Sequence, residues 1–156
     1  PAMKDRELES QLRLLSLQLE SWKRLHDLIT YGLDKAKPII SAEQERQFTE
    51  IRGNLLQETA HVFTKLNLLA ELSGKAMNVL QRCVSVRGIR ELSNEEVRRL
   101  ESEWNGVFTK LGVAHGQLKD RRKALAQQTA FAYHFSRLFG RRPPAGSQLA
   151  VPSRGI

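Results

Sequence analysis

The side chains of this 156-residue chain most readily turned to nucleophilic, acid–base or metal chemistry are its one cysteine and four histidines. Cys83 falls on an apolar stripe, where a thiol is a small buried hydrophobe with an ordinary or raised pKa rather than a nucleophile. His26 lies on a second stripe, where a neighbouring carbonyl would satisfy it or protonation would make it a weak point. Neither has an evident triad partner. Glu58 and His61 form one Glu-x-x-His step, the element that di-iron bundles use twice together with two further glutamates. There is no second copy, because Lys23, Gly112 and Phe131 stand three residues before His26, His115 and His134. Glycine-rich phosphate loops, His-Glu-x-x-His and Gly-x-Ser-x-Gly are missing as well. The chain therefore reads as non-enzymatic, with no catalytic residues, no metal ligands and no cofactor.

The stronger chemical signal is charge. The formal net charge is +8, and nearly all of it sits at one end. From Lys119 to Ile156 there are eight basic residues (Lys119, Arg121, Arg122, Lys123, Arg137, Arg141, Arg142, Arg154) against the single acid Asp120. Phe131, Phe135 and Phe139 share one helical face there, with Leu138 beside them, while Tyr133 and Arg137 lie off it. A hydrophobic stripe flanked by arginines suits an anionic membrane surface, at about 1 kcal/mol per basic residue near the bilayer. The same cations would meet nucleic-acid phosphates, a weaker alternative because no recognition helix or interleaved stacking aromatics accompany them. Against both stands a purely structural role, in which the aromatics plug a bundle end and the arginines complement a helix dipole.

These groups are carried by helices. Ser93 with Glu96 forms a capping box, and apolar residues then recur in steps of three and four through Val97, Leu100, Trp104, Val107, Leu111, Ala114, Leu118, Leu125, Ala132, Phe135 and Phe139. Gly140, ahead of Pro143 and Pro144, closes the stretch. Arg121 falls on the seam itself, where it must snorkel, pair with an acid, or mark where the core opens. A first seam runs through Leu8, Leu12, Leu15, Leu19, Trp22, His26, Ile29, Leu33 and Ala36, ended by Pro38 or a turn earlier by Gly32. Lys35 and Lys37 would then complement its C-terminal dipole. Ser41 and Gln44 box the start of a second seam, Phe48 to Cys83, whose phase continues through Gly74. This predicts one helix of about 45 residues, although an interior glycine costs about 1 kcal/mol relative to alanine. Val86 to Leu92, around Gly88, reads as a turn.

The expected fold is thus all-α: an elongated antiparallel three-helix bundle with coiled-coil-like packing, its helices covering about 4–37, 42–86 and 94–139. Residues 1–140 would form the bundle and 141–156 a flexible basic tail. With Trp22 and Trp104 near the first and third seams, the arrangement resembles spectrin repeats in outline only.

Level-matching across the first link makes the second and third helices project past the first by about ten residues, roughly 15–20 Å. Met77, Leu80, Cys83, Val84, Val97 and Leu100 lie on that projection, as candidates for self-association into a dimer or for a partner helix. The bland alternative is that the first helix begins upstream, since Pro1-Ala2-Met3 looks like an expression remnant. Gly112 and Gly116 form a small-xxx-small pair suited to close backbone approach, and Gly106 is read the same way, as a packing position before a hinge or break.

A lone cysteine excludes an internal disulfide framework and suits a reducing compartment. No apolar run reaches the length of a transmembrane helix, and no signal peptide opens the chain. The expectation is a cytoplasmic scaffold or assembly module, free or at a membrane surface.

Overall fold

The computed structural model describes residues 2–140. Among them are five helices and no strand: α1 (Ala2–Leu33), α2 (Ala42–Lys65), α3 (Ala70–Arg82), α4 (Val86–Arg90) and α5 (Asn94–Phe139). The chain divides into two compact units, one ending at Asp120 and the other beginning at Arg121. The all-α class holds, while the count of three rods does not.

The second rod is broken, and not at Gly74. At the end of α2 the amide of Leu68 donates to the Phe63 carbonyl at 2.9 Å and that of Asn67 to the Thr64 carbonyl at 3.0 Å. Asn67 has φ 54°. This is a Schellman closure with asparagine in the left-handed position that glycine usually takes. The chain turns back there, so that α3 lies along α2 and the Arg52 guanidinium donates to the Leu80 carbonyl at 2.8 Å. Gly74 sits inside α3, and Gly106 sits inside an uninterrupted α5.

The first rod ends early, at Leu33, leaving Lys35 and Lys37 outside the helix they were expected to complement. Gly32 supplies the reason. A Cβ there would lie 2.9 Å from Val86 Cγ1 and 3.1 Å from the Val86 carbonyl oxygen, so the missing side chain is what lets α4 sit against the end of α1. Arg90 of α4 then satisfies the carbonyls that the helix end leaves open. Its Nε donates to Gly32 at 3.0 Å, and Nη2 reaches Pro38 at 3.1 Å and Lys37 at 3.3 Å. The expected turn at Val86 to Leu92 is in fact this short helix, with Val86 and Ile89 buried.

Caps are made locally and across the fold. Ser41 with Gln44 and Ser93 with Glu96 form both expected boxes. The Ser93 amide, donating at 2.8 Å, is the main reason the Glu96 carboxyl is held below the usual carboxylate range. At α4, Gly88 donates to Ser85 Oγ at 2.9 Å, and the Glu45 carboxylate of α2 accepts from the amides of Val86 at 3.1 Å and Arg87 at 2.8 Å. An acid at a helix N-terminus is favoured by both the orphan donors and the dipole.

The core of the first unit draws on all five helices: Trp22, Leu25 and Ile29; Phe48, Leu55 and Phe63; Ala76, Val79 and Leu80; Val86 and Ile89; Leu100, Val107 and Leu111. Each large side chain so buried contributes about 1.5–3 kcal/mol. The α1 stripe is wider than the predicted seam, because Gln18 and Leu25 are buried while Leu19 and His26 are half-buried.

The projecting seam is not formed. Leu80, Cys83 and Leu100 are fully buried within the chain, Met77 and Val97 are half-buried, and only Val84 stays exposed. The reversal at Asn67 folds α3 back, so the surface reserved for a second copy is covered internally.

Close packing at the third-rod glycines is also overturned. A Cβ added at Gly106, Gly112 or Gly116 would meet nothing within 4 Å.

Candidate docking face on the last helix

Within the first unit, several polar side chains pair across α1 and α5. His26 Nε2 lies 3.2 Å from a Glu101 carboxylate oxygen, so its partner is an acid on α5 and not the expected carbonyl. The imidazole stacks on Trp104 at a ring separation of 3.8 Å, and Trp104 stacks on Phe108 at 4.7 Å. The Trp104 indole donates to the Trp22 carbonyl at 3.2 Å, and the Trp22 indole to Gln18 Oε1 at 3.1 Å. Ser16 and His115 meet at 3.0 Å. The pairings 26 with 101, 22 with 104 and 16 with 115 show α1 and α5 running antiparallel. Glu101 is a residue that the sequence patterns did not single out, since its pairing with His26 depends on that register.

Other candidates for chemistry do not converge. Glu58 and His61 are exposed, and among the described residues no three His, Cys, Asp or Glu side chains gather as a metal site would require. Burial pushes the Cys83 thiol up to about 12, the opposite of an activated nucleophile. An open groove of about 530 Å³ sets apolar Leu28 and Ile51 beside Arg24, Asp27, Gln47 and Glu50, and its Arg24 is bound to Glu20 at 2.8 Å.

The second unit differs. Leu111 is the last buried residue of α5, and Ala114, His115 and Leu118 are half-buried. From Lys119 onward every described residue except Leu125 is exposed. Of the three fates open to Arg121, the structure shows the third, a cation standing where the core ends.

Beyond it the helix continues, its Thr129 hydroxyl donating to the Leu125 carbonyl at 2.9 Å and Ser136 to Tyr133 at 2.9 Å. At four-residue spacing Phe131, Phe135 and Phe139 form a file of rings separated by 6.0 Å and then 4.4 Å. The three rings keep 70%, 52% and 70% of their surface in solvent, and Leu138 keeps 79%. Lys119, Arg121, Arg122, Lys123 and Arg137 are all exposed, whereas Arg141 and Arg142, like the predicted tail, lie outside the described residues.

What this arrangement can do is bind a surface. At about 100° per residue, Phe131, Phe135, Phe139 and Leu138 fall within an arc of about 100°, and Arg122, Lys123 and Arg137 fall on the other side of the helix. No helix among the described residues is long and apolar enough to cross a membrane. No protein-family model, curated protein or solved structure matches the chain, so its functional reading rests on this geometry.

Proposed function

We propose that the chain is a non-catalytic helical module that docks through the aromatic face of α5. The observation that carries this reading is the file Phe131, Phe135 and Phe139, with every ring at least half in solvent. Covering each ring would contribute about 1.5–3 kcal/mol, and contiguous exposed apolar surface of this kind marks interaction sites. Self-association through the second and third predicted rods loses its support, because Leu80, Cys83 and Leu100 have no free surface to present.

The test uses a chain with Phe131→Ser, Phe135→Ser and Phe139→Ser together. Trp22 and Trp104 are buried in the first unit, so their fluorescence reports its unfolding. A docking face predicts an unchanged denaturation midpoint for the variant, with loss of the wild type's retention on a phenyl matrix. A midpoint lowered as by truncation of a core would make the rings part of the fold and end the reading.

A further inference from the structure

We propose that the surface bound by this face is an anionic lipid bilayer, with the Arg121–Phe139 stretch of α5 lying in the plane of the headgroups. The proposal rests on the docking reading above and adds the identity of the occupant. Three observations select it.

Charge is the first. From Arg121 to the end of the chain there are seven basic residues and no acidic one. A second copy laid against residues Arg121–Phe139 would bring like charges together with no acid there to pair them, whereas an anionic leaflet attracts them.

The second is the position of those charges around the helix. The rings occupy one side and Arg122, Lys123 and Arg137 the other, while Gln127, Thr129, His134 and Ser136 lie between them and Arg121 and Gln128 lie in line with the rings. A helix at a bilayer interface sinks its apolar side to the depth of the acyl boundary, while long cationic side chains reach back to the phosphates. A nucleic-acid duplex, which offers these cations its phosphates and keeps its bases stacked inside, would leave three phenyl rings uncovered.

The third is the pattern along the helix. A partner helix needs knobs at alternating steps of three and four along its whole contact. Here the apolar positions Phe131, Phe135, Leu138 and Phe139 cover little more than two turns, and upstream the same strip carries Gln128, Arg121 and Asp120. A fluid acyl surface requires only a contiguous apolar arc and no matching holes.

The experiment is co-sedimentation of the full chain with vesicles of phosphatidylcholine alone and of phosphatidylcholine containing phosphatidylserine, at low and high salt. The wild type is expected to pellet with the anionic vesicles, less so as salt rises, and far less with the neutral ones. Changing Arg121, Arg122 and Lys123 together to glutamine should weaken partition roughly a hundredfold, about fivefold per residue. The Phe131→Ser, Phe135→Ser, Phe139→Ser variant should lose partition while keeping its unfolding midpoint.

Equal pelleting with neutral and anionic vesicles, or none with either, overturns the bilayer. If the wild type fails to pellet yet sediments as an oligomer or binds an acidic amphipathic peptide, and the serine variant does neither, the docking face stands with a protein as its occupant. If the serine variant pellets as well as the wild type, the binding is by charge alone and the proposal falls. A lowered unfolding midpoint in that variant would remove the docking reading itself.

Discussion

Arg90 holds the end of the first helix from 58 residues further along the chain, its Nε donating to the Gly32 carbonyl at 3.0 Å. One guanidinium thereby satisfies carbonyls at Gly32, Lys37 and Pro38, a set that a fork of fixed donors meets better than a single ammonium. Arg90→Ala should therefore destabilise the first unit by about 2 kcal/mol, in the range for hydrogen bonds to a charged group. Arg90→Lys should recover less than half of that loss. Urea denaturation followed by tryptophan fluorescence checks both, and an alanine variant as stable as wild type would refute the cap.

Two glycines should respond to alanine with opposite signs. At Gly32 the new methyl would meet Val86 Cγ1 at 2.9 Å and the Val86 carbonyl at 3.1 Å, so α4 must shift. We expect a loss of about 1–3 kcal/mol, as for overpacking. At Gly112 nothing lies within 4 Å, and alanine should stabilise α5 by about 0.5–1 kcal/mol through helix propensity alone. Thermal melts of the two variants provide the comparison. Destabilisation by Gly112→Ala would mean that a neighbour does approach that face.

The reversal between α2 and α3 depends on the left-handed backbone of Asn67, at φ 54°. Asn67→Gly should be tolerated or slightly stabilising, whereas Asn67→Val should lose about 1–2 kcal/mol, the penalty for a Cβ-branched residue in that region. If valine is accepted without loss, the two helices join in some other way.

Cys83 links the core to pH. Burial raises its thiol from the ordinary value of 9.0 to about 12, so the unfolded chain ionises first as pH rises. The contribution of the protonated thiol to stability is complete below about pH 9 and declines between about 9 and 12. Wild type should thus lose stability more steeply than Cys83→Ala between pH 8.5 and 10.5, the direction that the raised value requires. The native thiol should also resist a disulfide reagent at pH 8 and react on unfolding. Rapid native modification would contradict the burial.

The helical class, both capping boxes, the long final helix from Asn94 to Phe139 and the basic aromatic face on it were legible in the residues. The reason is that periodicity and cap chemistry are local, set by neighbours three and four positions apart. His26 was legible as a seam residue with a polar demand, but its Glu101 partner was not, because that pairing depends on where two antiparallel helices stop sliding. The break at Asn67 escaped the same reasoning because the apolar phase runs through it unchanged, and asparagine signals a left-handed turn more faintly than glycine.

The amino-acid order by itself determined that this is a helical protein with one apolar stripe per segment and its positive charge gathered at one end. Only the tertiary structure decided which stripes are covered. A stripe records that a face is apolar and not what lies against it, so Leu80, Cys83 and Leu100 look as available in sequence as Phe131, Phe135 and Phe139. The reversal at Asn67 and the approach of α4 to Gly32 bury the first set inside the chain, whereas among the described residues the second set stays at least half in solvent.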